Sequence, residues 1–115
     1  MKKPKPLNIG EESLAVQLTA EGILYTRQFR YAKGRNFAAD FHLTDTNILI
    51  EVNGGVWRRA DGTAGAHGSI SGILKDNERL NAATVNGWRV LRFTPQQVID
   101  GYARAFIVDM AKERI

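Results

Sequence analysis

Two carboxylates in adjacent strand-like segments are the most informative residues of the chain. Asp40 lies in the segment 36–43 and Glu51 in the segment 47–53, and residues 44–47 form a turn between them. If the two segments make a hairpin about this turn, Asp40 lies directly opposite Glu51, with Cβ atoms roughly 4.5–5.5 Å apart. The spacing therefore predicts a pair of facing carboxylates.

The apolar residues fix the register of this hairpin. In it, the pairs on one face are all apolar: Leu43 with Ile48, Phe41 with Ile50, and Ala39 with Val52. The other face carries the remaining pairs: His42 with Leu49, Asp40 with Glu51, and Ala38 with Asn53. A shift of one residue would turn Asp40 into the core, so the alternation favours this register alone.

Like charges that face each other across a sheet repel, and burial of Glu51 within the apolar run ILIEV would add a desolvation cost. Three arrangements would compensate the pair: an arginine between the carboxylates, a shared proton, or a divalent cation. Carboxylate oxygens at this spacing suit Mg²⁺ or Mn²⁺. From the residues alone, all three remain open.

The chain leaves the second strand through Asn53-Gly54-Gly55 and enters a long glycine-rich loop, residues 54–69. Loops of this length inside compact domains are usually functional or disordered, and we expect this one to be mobile. Its notable side chains are Trp57, Arg58, Arg59 and His67. Trp57 suits either base stacking or anchoring of the loop, and His67 either proton transfer, a phosphate contact or a plain surface position.

Helix-capping residues and the periodicity of the apolar residues predict the helices and strands around the hairpin. We predict helices over residues 8–21, 70–85 and about 94–113, the last broken near Gly101, and further strands over 24–31 and 88–93. Asn8 with Glu11 predicts a capping-box start, and Thr94-Pro95 with Gln97 predicts another. The order α-β-β-β-α-β-α allows one parallel crossover, which predicts an α/β fold with a small mixed sheet flanked by helices.

The composition of the chain excludes several classes of protein. The chain has 115 residues, a net charge of +4 and no cysteine, which excludes a disulfide framework, a thiolate metal site and a cysteine nucleophile. We expect a basic flexible tail over residues 1–7 and a single domain over 8–115. The sequence has no apolar stretch long enough to span a membrane and no secretory signal, so a cytoplasmic location is expected.

Three motifs together resemble the PD-(D/E)XK nuclease superfamily. They are Ala39-Asp40-Phe41, then Leu49-Ile50-Glu51-Val52-Asn53-Gly54-Gly55, and then Asn86-Gly87-Trp88-Arg89-Val90-Leu91-Arg92-Phe93. Within the superfamily, the chain is most similar to the small Vsr-like endonucleases of phage type, over roughly residues 11–98. The resemblance implies a restriction-endonuclease-like fold and cleavage of DNA, in the host cytoplasm if the protein is phage-encoded.

The resemblance also implies roles for single residues. Asp40 and Glu51 match the two acidic metal ligands, and the carbonyl of Val52 matches a third. Glu11 matches a helical glutamate of the family, although its neighbour Glu12 could be the equivalent. Trp57, His67, Asp76 and Asn81 fall on further matched positions. The implied cofactor is Mg²⁺ or Mn²⁺, which activates a water for attack on the phosphate.

One position departs from the family pattern. Asn53 stands where the superfamily has a catalytic lysine, so the positive charge must come from elsewhere: Lys75 or Arg79 on the next helix, or His67. The predicted DNA contacts are Arg27, Arg30, Arg35, Trp57, Arg58, Arg59 and Arg79. The neutral Asn53 also leaves open a DNA-binding module without catalysis. An arginine bridge between the two carboxylates would instead be typical of an interaction protein. The sequence does not decide between a monomer and a homodimer.

Overall fold

The computed structural model describes residues 8–53 and 70–113, and its elements follow the predicted order. The helices are α1 (Ile9–Ala20), α2 (Ile70–Val85), α3 (Pro95–Ile99) and α4 (Tyr102–Glu113); the strands are β1 (Tyr25–Arg30), β2 (Ala38–Leu43), β3 (Ile48–Val52) and β4 (Arg89–Phe93). Gly101, with φ of +87°, separates α3 from α4 where the break was predicted. The predicted α/β class is confirmed.

The described strands form one mixed sheet in the order β1-β2-β3-β4. β1 pairs with β2 and β2 with β3 in antiparallel fashion, whereas β3 and β4 are parallel, with α2 in the crossover between them. Phe41 pairs with Ile50 and His42 with Leu49, which confirms these two pairs of the predicted hairpin. Because β2 begins where β3 ends, Asp40 and Glu51 lie at the same edge of the sheet.

Helices cover both faces of the sheet. Helices α1, α3 and α4 pack on one face, where the buried residues include Leu14, Leu18, Phe41, Ile48, Ile50, Val98 and Ile107. Helix α2 packs on the other face through Ala83, beside Tyr31, Ala32, Ala39 and Leu49. Glu51 is therefore on a strand that is buried from both sides, as the run ILIEV predicts.

The alternation of β2 is broken next to Asp40. Phe41 belongs to the cluster under α1, whereas Ala39 belongs to the cluster under α2, so the prediction that both share one face is wrong. Opposite this point, Gln28 of β1 has φ of +51°, a left-handed conformation that is uncommon for a residue with a side chain. Along β1, Tyr25 packs on one face and Phe29 on the other, so the strand changes face across Gln28.

The predicted helix caps are largely confirmed. The Glu11 N–H donates to Asn8 Oδ1 at 3.0 Å, and Thr94 and Gln97 form the reciprocal capping box of α3 with Pro95 in its first turn. The Glu11 carboxylate, however, accepts hydrogen bonds from Arg27 and Gln28, so a capping box at α1 is wrong. This buried carboxylate is therefore directed to β1.

The apolar residues of α2 do not form a stripe that faces the core. Ile70, Ile73, Leu74 and Val85 are exposed in the described part of the chain, and the helix buries Ala83 instead. Among the described residues, none of the helices is long and apolar enough to cross a membrane. The tail 1–7 and the loop 54–69, with Trp57, Arg58, Arg59 and His67, lie outside the described residues, so what was expected of them stays a prediction.

Candidate active site

Asp40 and Glu51 mark the candidate site at the edge where β2 begins and β3 ends. Glu51 is buried and Asp40 is half-buried. The Val52 N–H donates to Asp40 Oδ2 at 2.7 Å, so the Asp40 side chain is tied to the backbone of the strand that carries Glu51. This bond fixes one carboxylate oxygen of Asp40 and leaves the other for a further partner.

The environment of Asp40 raises its pKa to about 6. Burial is the largest cause; the Val52 N–H opposes it, and the charges of Glu11 and Glu51 raise the pKa further. The charge of Arg79 opposes these effects only in part. Asp40 thus lies within electrostatic reach of two other carboxylates, and its negative charge is poorly compensated.

Glu51 has a specific partner, Arg79 of α2. Arg79 Nη2 lies 2.7 Å from Glu51 Oε1 and 2.9 Å from Oε2, and Nη1 lies 3.4 Å from Asp76 Oδ1. Asp76 in turn accepts from Arg92 of β4 at 3.0 Å. Burial lowers the pKa of Arg79, but Glu51 and Tyr31 outweigh this effect and the net shift is upward. A chain of alternating charges therefore runs from Glu51 to the surface.

The sequence left open whether Glu11 or Glu12 belongs to the site, and of the two it is Glu11 that lies buried toward Asp40. Glu11 is buried and its charge acts on Asp40, whereas Glu12 is exposed. Arg27 Nη2 lies 2.8 Å from Glu11 Oε1 and 2.7 Å from Glu12 Oε1. The hydrogen bonds that Arg27 donates to Glu12 and Glu11 raise the pKa of Arg27, and the hydrogen bond that Glu12 accepts from Arg27 lowers the pKa of Glu12. Arg27 thus orients Glu11.

Sequence reasoning missed two residues that the fold brings to the site. Gln28 Nε2 donates to Glu11 Oε1 at 3.0 Å from its left-handed position beside Asp40. The Tyr31 hydroxyl donates to the Arg79 carbonyl at 3.4 Å, and burial raises its pKa. Neither has a sequence signal, because both contacts depend on how β1 packs against helices distant in the chain.

The remaining predicted residues are distributed around this edge. Asn53 follows Glu51, half-buried, and its backbone N–H donates to the Phe93 carbonyl at 3.0 Å. Lys75 and Arg30 are exposed. Arg35 is ion-paired with Glu78 and lies over the ring of Phe37, 4.7 Å from its centroid. The roles assigned to these residues stay predictions.

Comparison with known proteins supports the α/β architecture described above. No family model matches the chain, and no curated protein matches its sequence. Among solved structures, the chain is similar to the catalytic domain of the homing endonuclease I-Bth0305I, with a TM-score of 0.56 and 21% identity over 91% of this chain and 87% of that one. The two chains therefore share a fold, that of an endonuclease catalytic domain.

Proposed function

We propose that this chain is a metal-dependent endonuclease that hydrolyses phosphodiester bonds of DNA, of the Vsr-like branch of the PD-(D/E)XK superfamily. The observation that carries the proposal is Asp40, a half-buried carboxylate with a raised pKa, held to the backbone beside Glu51 at one sheet edge. Such a cluster is costly in a purely structural sheet. Its occurrence on a fold shared with an endonuclease catalytic domain supports hydrolysis of DNA.

The donor atoms at this edge fit a hard divalent cation. In residues 8–53 and 70–113, no group of three or more Asp, Glu, His or Cys side chains is arranged to hold an ion. Mg²⁺ needs fewer protein ligands, because it usually retains several waters and binds one or two carboxylates together with substrate phosphate oxygens. Asp40 and Glu51 would supply the carboxylates, and the Val52 carbonyl the third ligand. A bound Mg²⁺ or Mn²⁺ would polarise the phosphate and lower the pKa of a water.

The chain's own residues would then position the substrate and the water. Glu11, held by Arg27 and Gln28, would orient the attacking water from the side of α1. Asn53 offers an N–H donor to a phosphate oxygen but no charge. Of the two helix cations, Arg79 contacts Glu51, whereas Lys75 is exposed. Arg79 is therefore our candidate for the positive charge that the superfamily takes from lysine.

One observation favours a second candidate function. Arg79 contacts both oxygens of Glu51, which is the arginine compensation that a non-catalytic DNA-binding module would use. In such a module the pair would be permanent. In the nuclease, Arg79 would release at least one oxygen of Glu51 when a cation binds.

Nicking of supercoiled plasmid distinguishes the two. The wild-type chain is incubated with Mg²⁺, Mn²⁺ or EDTA beside Asp40→Asn and a control, Asp109→Asn, which removes an exposed carboxylate from α4. The nuclease predicts nicking with either metal by wild type and control, and none with EDTA or Asp40→Asn. DNA binding without nicking in any metal would favour the module. Single-stranded, duplex, flap and four-way substrates would then define the preferred DNA structure.

A further inference from the structure

An open cleft of about 780 Å³ lies between the β1–β2 connection and the residues that follow α2. Arg30, Lys33 and Asn36 line one side of it, and Asn86 and Trp88 line the other. None of the described residues that line the cleft is acidic. Arg30 and Arg35 are among the DNA contacts predicted from the sequence, but the cleft itself is a property of the fold.

The walls of this cleft are held by specific contacts. Trp88 Nε1 donates to the Tyr31 carbonyl at 3.1 Å, and its ring packs edge-on against Phe29, with centroids 5.4 Å apart. In the β1–β2 connection, the Arg35 N–H donates to the Ala32 carbonyl at 3.2 Å. The cleft is thus formed by packed elements rather than by exposed side chains alone.

The charge of the cleft is available to a ligand. Arg35 is ion-paired with Glu78, but Arg30 and Lys33 form no ion pair within the part of the chain that the structure describes. Two exposed cations in an open cleft with no acidic residue in its described lining attract phosphates, and the asparagine at position 36 can donate a hydrogen bond to a phosphate oxygen.

The cleft lies close to the candidate active site, because Arg30, which lines it, pairs with Ala38 at the beginning of β2, two residues before Asp40. Tyr31 lines the cleft, and its hydroxyl contacts the Arg79 carbonyl, in the same residue whose guanidinium holds Glu51. A linear polyanion bound at Arg30 would therefore lie at the end of the sheet that carries Asp40. A free nucleotide fits less well, because the cleft is open and its two free cations lie on an exposed turn and strand end.

We propose that this cleft binds the sugar–phosphate backbone of the DNA next to the cleaved position, with Arg30 and Lys33 as phosphate contacts. The inference rests on the proposed nuclease function and adds the path of the substrate. It requires phosphate recognition that is independent of base sequence and of metal.

Fluorescence anisotropy in EDTA tests this site, because binding is then measured without cleavage. Labelled duplexes of several unrelated sequences are titrated with wild type, Arg30→Gln, Lys33→Gln and the double variant at several salt concentrations. The matched control is Lys112→Gln, an exposed lysine of α4 on the opposite face of the sheet. Inorganic phosphate and a mononucleotide, at equal phosphate concentration, serve as competitors.

Each cleft substitution should weaken binding equally for all sequences and reduce the salt slope of log K by about 1. Lys112→Gln should bind as wild type, and neither competitor should displace the duplex. The proposal is overturned if the double variant binds no more weakly than Lys112→Gln, or if the mononucleotide displaces the duplex. Binding through the cleft without plasmid nicking would contradict the nuclease alone, whereas nicking with wild-type binding by the double variant would contradict the cleft alone.

Discussion

Arg79 contacts both carboxylate oxygens of Glu51, at 2.7 and 2.9 Å, across the space between α2 and the end of β3. The ion pair joins a buried carboxylate of the sheet to a half-buried arginine of the crossover helix. It explains how Glu51 is tolerated in a strand that is otherwise apolar. It also places a positive charge beside the residue that we propose as a metal ligand.

The first prediction concerns stability. Arg79→Gln should lower the free energy of unfolding by about 2 kcal/mol, because it leaves a buried carboxylate without its partner. The control Arg104→Gln breaks a surface pair with Glu21 and should cost less than about 1 kcal/mol. Urea unfolding in EDTA measures both. Equal effects of the two substitutions would show that the Arg79–Glu51 ion pair stabilises the fold no more than a surface ion pair does.

The second prediction is a pH dependence. The pKa of Asp40 rises from its ordinary value of 3.8 to about 6 on folding, so the folded chain binds more protons than the unfolded chain between these values. The contribution of Asp40 to the free energy of unfolding of the metal-free protein should therefore fall as pH rises from about 4 to about 6. Asp40→Asn should remove this contribution, and Asp109→Asn should keep it. A profile unchanged by Asp40→Asn would contradict the prediction.

The sequence predicts the parts of this site that depend on residues close together in the chain, and it fails for contacts between distant elements. The apolar alternation of 41–43 and 48–50 predicts the observed pairs Phe41–Ile50 and His42–Leu49, and hence the shared edge of Asp40 and Glu51. The pairing of Glu51 with Arg79 could not be predicted, because it depends on the rotation of α2 about its axis. Exposure of Ile70 and Leu74 shows that the apolar pattern does not determine this rotation.

The break in β2 is a second limit. A period of two places Ala39 and Phe41 on the same face, and nothing in the local sequence indicates that Gln28, on another strand, adopts φ of +51°. That Glu11 rather than Glu12 is buried similarly depends on the position of α1 against the sheet. Caps are local, and accordingly Asn8 and Thr94 were predicted correctly.

The third prediction tests the contact of α1 with the site. A Cβ added to Gly10 would lie 2.9 Å from Pro95 Cβ and 3.0 Å from Val52 Cγ1. Gly10→Ala should therefore destabilise the fold by about 1–3 kcal/mol, although alanine is ordinarily the better helix former. Asn77→Ala, at an exposed position of α2, should leave stability unchanged or raise it slightly. Thermal unfolding of both variants checks this, and a Gly10→Ala protein as stable as wild type would refute the close packing.

The fourth prediction identifies the cation that replaces lysine. Arg79→Ala should lower kcat about 10²–10³-fold, the scale of losing one preorganised electrostatic group, whereas Lys75→Ala should have a much smaller effect. Because Arg79→Ala also affects stability, Asn53→Lys is added to it: a lysine next to Glu51 should restore part of kcat. Single-turnover cleavage measures all three. A larger loss for Lys75→Ala than for Arg79→Ala would reverse the assignment.

The most direct test of the metal site is anomalous diffraction from a crystal grown with Mn²⁺. We predict a Mn²⁺ peak between Asp40 and Glu51, about 2.1 Å from one oxygen of each, with Arg79 moved off at least one oxygen of Glu51. A crystal in which Mn²⁺ is absent from this edge, with Arg79 still on both oxygens of Glu51, would contradict the proposal.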